Sequence, residues 1–137
     1  MARQIFVTGS LDISDDDQSS FEWCHYRLSG SAAIDIDEPV ELLQVTKVCG
    51  GEVRVELDLK AIALPNGDAR VTGTAKLYEG VSGFTTTDLD DQENIDFLLS
   101  ADQSLPLKIK LENQEVDSDD LAEIKLTFEN VAIEEVA

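Results

Sequence analysis

Apolar and polar side chains alternate strictly along much of this chain. Val53, Val55, Leu57 and Leu59 interleave with Glu52, Arg54, Glu56, Asp58 and Lys60. Leu105, Leu107, Ile109 and Leu111 repeat the pattern, as do Ala122, Ile124, Leu126 and Phe128. Successive side chains of a strand point to opposite faces, so each segment has one face to bury and one to wet. That is the signature of an antiparallel sheet. No segment carries a helical stripe. Strands are expected over 3–9, 21–29, 42–48, 52–63, 69–78, 94–99, 105–112 and 122–134. Gly50-Gly51 is a candidate turn, and Asn66-Gly67 predicts a type I′ hairpin, because both residues tolerate positive φ. The fold class is therefore all-β, an antiparallel β-sandwich of about eight strands, with a β-barrel as the alternative. No repeat or linker divides the chain, and residues 1–137 are read as a single β-sandwich domain.

The charge bounds the partners. Asp plus Glu number 29 against 10 Lys plus Arg, a formal net charge of −19. Such a chain repels nucleic-acid backbones, and membrane binding is not expected without calcium. It favours cations or a basic protein partner. Adaptation to high salt is a competing source of the acidity. The hydrophobic fraction of 42% is too high for a disordered acidic tail and sufficient for a core. No apolar run approaches a membrane span, and Met1-Ala2-Arg3-Gln4 leads into a strand-like segment, not into the apolar core of a signal peptide. The expected location is cytoplasmic. In a reducing cytosol Cys24 and Cys49 are expected as free thiols, pairing only in an oxidising compartment.

The run Asp88-Leu89-Asp90-Asp91-Gln92-Glu93-Asn94-Ile95-Asp96-Phe97-Leu98 gathers carboxylates in a short segment. Calcium takes about six to eight oxygen ligands, whereas zinc and copper prefer imidazole and thiolate. The run suggests a calcium site on a loop. Connections in an antiparallel fold alternate between two ends, so the loops around 10–20, 79–93 and 113–121 should share one end. They carry Asp15-Asp16-Asp17, Asp88 to Asp91, and Asp117-Ser118-Asp119-Asp120. The blander reading is a set of solvated turns, since Asp favours turns and strand ends.

Asp88-x-Asp90-x5-Asp96-Phe97-Leu98 resembles the third calcium-binding loop of C2 domains, which are eight-stranded antiparallel sandwiches of similar length. The resemblance implies Asp88, Asp90 and Asp96 as carboxylate ligands. Asp91, Asp117, Asp119 and Asp120 are expected as helpers. The expected function is a non-catalytic, calcium-binding, C2-like module that engages a partner through acidic loops at one end. The alternative is a metal-independent acidic domain that neutralises a basic protein partner. No enzyme is expected. His25 is the single histidine, no flanking motif makes it a catalytic base, and adjacent Cys24 points to the other face of a strand.

Overall fold

The computed structural model describes residues 3–16, 21–50, 53–79, 88–112 and 120–133. They form eight strands: β1 (Arg3–Asp16), β2 (Phe21–Ile34), β3 (Val40–Cys49), β4 (Val53–Ala63), β5 (Ala69–Glu79), β6 (Asp88–Leu99), β7 (Ser104–Glu112) and β8 (Leu121–Ala132). One sheet has the order β2-β1-β8-β7 and the other β3-β4-β5-β6. All neighbours are antiparallel. The chain crosses between sheets at β2–β3 and at β6–β7, and these pairs are not joined in a sheet. The architecture is therefore an eight-stranded antiparallel sandwich and not the closed barrel.

Alternation builds the core as expected. Val53, Val55, Leu57 and Leu59 are buried, as are Ala122, Ile124, Leu126 and Phe128. β1 supplies Ile5, Val7, Leu11 and Ile13 from the opposite sheet. Phe97 of β6 meets Phe128 of β8 edge-to-face, with centroids 5.0 Å apart, so an aromatic contact joins the two layers.

Three strands are longer than the sequence reading gave by five residues or more. β1 continues to Asp16, because Leu11 and Ile13 extend the buried face. β2 continues to Ile34 through Gly30 and Ala32, whose small side chains carry little hydropathy signal. β6 begins at Asp88, and its acidic half is strand and not loop. That half pairs with β5 alone, and backbone hydrogen bonds hold it where no apolar alternation advertises it. The β4–β5 turn also differs from the expected type I′ form. Asn66 keeps a negative φ, and only Gly67 is left-handed, at φ 89°. Pro65, with its φ near −65°, suits the corner before it. The Leu64 N–H donates to the Asp68 carbonyl and the Gly67 N–H to the Leu64 carbonyl.

The cysteines correct the expectation of free thiols. Cys24 of β2 and Cys49 of β3 form a disulfide, with Cα atoms 5.9 Å apart. Cys24 lies on the inner face of one edge strand and Cys49 at the end of the facing edge strand. The bond therefore closes the β2–β3 seam that no ladder closes.

A polar clasp seals the end of the core near the β4–β5 turn. Asn130 is fully buried and Arg3 is 4% exposed. The Asn130 Nδ2 donates to the carbonyls of Gly67 and Leu99 at 3.0 Å each, and its Oδ1 accepts from Arg3 Nε at 2.8 Å. Arg3 Nη2 also donates to the Asn130 carbonyl and to Asp102 Oδ1, at 3.1 and 2.7 Å. Asp102 itself is left-handed, at φ 63°, where the chain turns from β6 into β7. One asparagine thus ties β1, β8, the β4–β5 turn and the end of β6.

The disulfide closes a segment with a sequence separation of 25. Chain-entropy reasoning puts its contribution at about 3 kcal/mol. Reduction, or the double change Cys24→Ala/Cys49→Ala, should lower the unfolding free energy by that order in denaturant titrations. The native chain should weigh two hydrogens less than the reduced one. Asn130→Leu keeps volume but orphans the buried Leu99 carbonyl, the part-buried Gly67 carbonyl and Arg3 Nε, and should cost about 3 kcal/mol or more. Asp102→Asn removes only an ion pair whose acidic partner is 77% exposed. It should cost less than about 1 kcal/mol in the same assay.

Candidate functional site

The connections β1–β2, β3–β4, β5–β6 and β7–β8 all leave from one end of the sandwich. Within the first sheet, Ser14 pairs with Trp23 and Leu121. Within the second, Glu79 pairs with Val53 and Asp88. The two sheets are tied at this end. Cys49 bonds to Cys24 and its Sγ lies 3.6 Å from the Ile13 carbonyl. On the far side the Glu112 N–H donates to Asp91 Oδ2 at 2.9 Å.

The two broad outer faces are balanced in charge. On the outer face of the first sheet, Arg27, Lys108, Lys110 and Lys125 stand against Asp12, Glu112, Glu123 and Glu129. Lys108 pairs with Glu123 and Lys110 with Glu112, at 2.8 and 2.7 Å. On the outer face of the second sheet, Arg54, Lys60, Arg70 and Lys76 stand against Glu41, Glu56, Asp58 and Asp96. The excess negative charge is therefore displaced to edges and ends. Asp15, Glu22, Glu79, Asp90, Asp91 and Asp120 fall toward the hairpin end, where Lys47, Arg54 and Lys110 also lie within three residues of their strand ends.

Two of these carboxylates face inward. Asp15 is 6% exposed and Asp120 3%. Asp15 continues the odd-numbered register of Ile5 to Ile13, and Asp120 the even-numbered register of β8. That alternation in the sequence marks both as inward-facing. A Cβ on residue 50 would overlap the Asp15 carboxylate, and Gly50 is left-handed at φ 65°, so glycine is required there on both counts. Asp15, Glu79, Asp90 and Asp120 all interact with neighbouring groups.

The remaining expected ligands divide sharply. Asp88, Asp90, Asp91 and Asp96 belong to one strand, not to a loop. Asp90 is the extra residue of a bulge, because Leu77 pairs with Asp91 and Tyr78 with Leu89. Asp91 caps backbone, accepting from the N–H groups of Gln92 and Glu112. Asp96 stands six positions beyond Asp90, about 20 Å at the rise of a strand. Its carboxylate is held in a bidentate pair by Arg70, at 2.9 and 2.7 Å. Asp90 and Asp96 therefore do not converge on one ion, unlike the loop geometry that the resemblance to C2 domains implies. The side chain of Asp88, and Asp17, Asp117 and Asp119, lie outside the described residues. Among the described residues no three His, Cys, Asp or Glu side chains are grouped to hold a metal ion. No helix among them is long and apolar enough to cross a membrane.

Other chemistry-bearing groups are structural in character. His25 Nδ1 donates to Asp12 Oδ1 at 2.6 Å and its ring stacks on Trp23, with centroids 5.9 Å apart. Glu41 and Asp58 share a hydrogen bond across β3 and β4, where a bulge between Glu41 and Leu43 shifts the register. That bond and burial raise the Glu41 carboxyl above its usual range, with the Asp58 charge adding to the rise and Lys60 opposing it. A groove of roughly 440 Å³ runs between β6 and β7, lined by Ile95, Phe97, Leu107 and Ile109. No protein-family model matches the chain, and no curated protein is similar to it.

The pH response separates the carboxylates. A raised Glu41 contributes stability below its ordinary value of 4.5, lost as pH rises through the folded value. Arg70 holds Asp96 below 3.8 and Lys108 holds Glu123 below 4.5, so these contribute above those values and fade as pH falls. Glu41→Gln supplies a permanent donor to Asp58. It should raise the melting midpoint at pH 7 and leave it nearly unchanged below pH 4.5. An equal gain at both pH values would show that the two carboxyls share no proton.

Proposed function

We propose that this domain is a non-catalytic binding module for a basic protein partner, which it engages through the acidic hairpin end. The observation that carries the reading is the partition of charge. Both broad faces balance their charges, while the hairpin end gathers carboxylates from both sheets in excess of the cations there. A concentrated field of one sign steers and orients an oppositely charged protein far better than the same charge spread evenly. High-salt adaptation would spread acidity over the faces as well.

Calcium binding at the same end is a second reading. It is favoured by Asp15 and Asp120 facing inward at that end, where the β6 bulge also places Asp90. The disulfide bears on location, because such bonds persist in oxidising compartments. It moves the expected setting away from the cytoplasm, to where weak extracellular-type calcium sites fill.

Titration calorimetry with polylysine at several salt concentrations tests the leading reading. Binding should weaken steeply as salt rises and be indifferent to chelator. Glu22→Gln, an exposed acid at the end, should weaken it several-fold more than Glu129→Gln, on a face and far from that end. Equal losses would remove the end as the site. A midpoint rise with calcium well above that with magnesium at matched ionic strength would favour the metal reading.

A further inference from the structure

We infer that Trp23 is the anchor of this interface: its indole receives an arginine or lysine side chain of the basic partner. The inference rests on the proposed engagement of a basic protein and adds the contact that fixes its position. Trp23 is the chain's single tryptophan and is 62% exposed. It stands on the outer face of β2, an edge strand, one residue before the disulfide cysteine and close to the acidic end.

The protein's own use of aromatic rings sets Trp23 apart. Lys47 lies over the Tyr26 ring at 5.0 Å, and Arg54 over the Tyr78 ring at 4.4 Å. Both tyrosines thus carry a cation supplied by the chain. Trp23, the ring type that holds cations best, has none among the described residues. Its recorded ring partner is His25, which stacks at an interplanar angle of 28° and leaves much of the indole open. His25 is in turn fixed by Asp12. The stack is therefore pre-organised, and ordering the indole adds little cost on binding.

Charge complementarity decides the occupant. Trp23 pairs with Ser14, so Asp12 and Asp16 hold the two register positions diagonal to it. Diagonal neighbours are within reach of long side chains. A guanidinium stacked on the indole would therefore sit among acidic positions, with Glu22 next to Trp23 in the strand. An apolar or acidic partner would gain nothing from that setting.

Octa-arginine is the probe, titrated into the oxidised, full-length protein. Trp23 is the chain's sole source of indole emission, so the signal reports one site. Binding should shift that emission, and Trp23→Ala should weaken affinity about 5- to 30-fold while leaving its salt dependence unchanged. Trp23→Leu should fall as far as Trp23→Ala, and Trp23→Phe should lie between these and the wild type. An exposed residue can be replaced without loss of the fold, and unchanged circular dichroism would verify this. If octa-arginine binds without moving the emission and equally well to Trp23→Ala, the anchor is wrong and the acidic-end reading survives. Full affinity in Trp23→Leu would mean simple apolar cover and would also overturn it. Absence of binding at low salt would remove both the anchor and the reading beneath it.

Discussion

The structure depends on a single interlayer of aliphatic side chains pressed between two four-stranded sheets. Neither seam between the sheets is closed by a ladder, so the layers adhere through Val, Leu, Ile and Ala side chains and a few tethers. Burial of such surface contributes roughly 25 cal/mol per Å². That gain must exceed both chain entropy and the self-repulsion of a net charge of −19. The tethers are consequently placed where the interlayer is weakest. The disulfide holds one seam, the Asp91–Glu112 contact the other, and the Arg3–Asn130 clasp the end opposite the acidic hairpins.

The same interlayer dictates where charge goes. An unpaired carboxylate cannot enter it, and a face crowded with like charges would strain cross-strand neighbours. The outer faces meet this by pairing acids with Lys and Arg, as in Arg70–Asp96 and Lys108–Glu123. The surplus carboxylates collect at strand ends, where the chain leaves the sheet and water is near. A functional reading based on acidity is thus a reading of an end, and the neighbouring indole gives that end a specific feature beyond charge.

Much of the fold was legible in the sequence because β4, β7 and β8 alternate without interruption, and period two has one physical meaning. Legibility failed where alternation is faint. The first half of β6 is held by pairing with β5 and by a bulge, so its aspartates looked like a loop. A ligand set inferred from their spacing could not foresee that a straight strand would hold Asp96 far from Asp90, or that Arg70 would claim it. The Cys24–Cys49 bond was hidden for another reason: proximity across two sheets leaves no trace in linear spacing. Asp15 and Asp120 were recoverable in principle, since each extends a buried register by one step. Trp23 was visible as a residue, but its exposure depends on which face β2 turns outward.

Strand order has a consequence for how the molecule is made. β3 to β6 follow one another in space as in sequence, so residues 40–99 can zip together by successive hairpins. The other sheet cannot, because its central pair is β1 with β8, the first and last strands of the chain. On a ribosome the β1–β2 hairpin emerges before the second sheet and waits with one edge of β1 unpaired until β8 arrives. Both cysteines lie in the first fifty residues, so their bond can tether that waiting hairpin to the growing second sheet before β8 exists. Synthesis in an oxidising setting would then shield the hairpin during the interval when it is most exposed to misassociation.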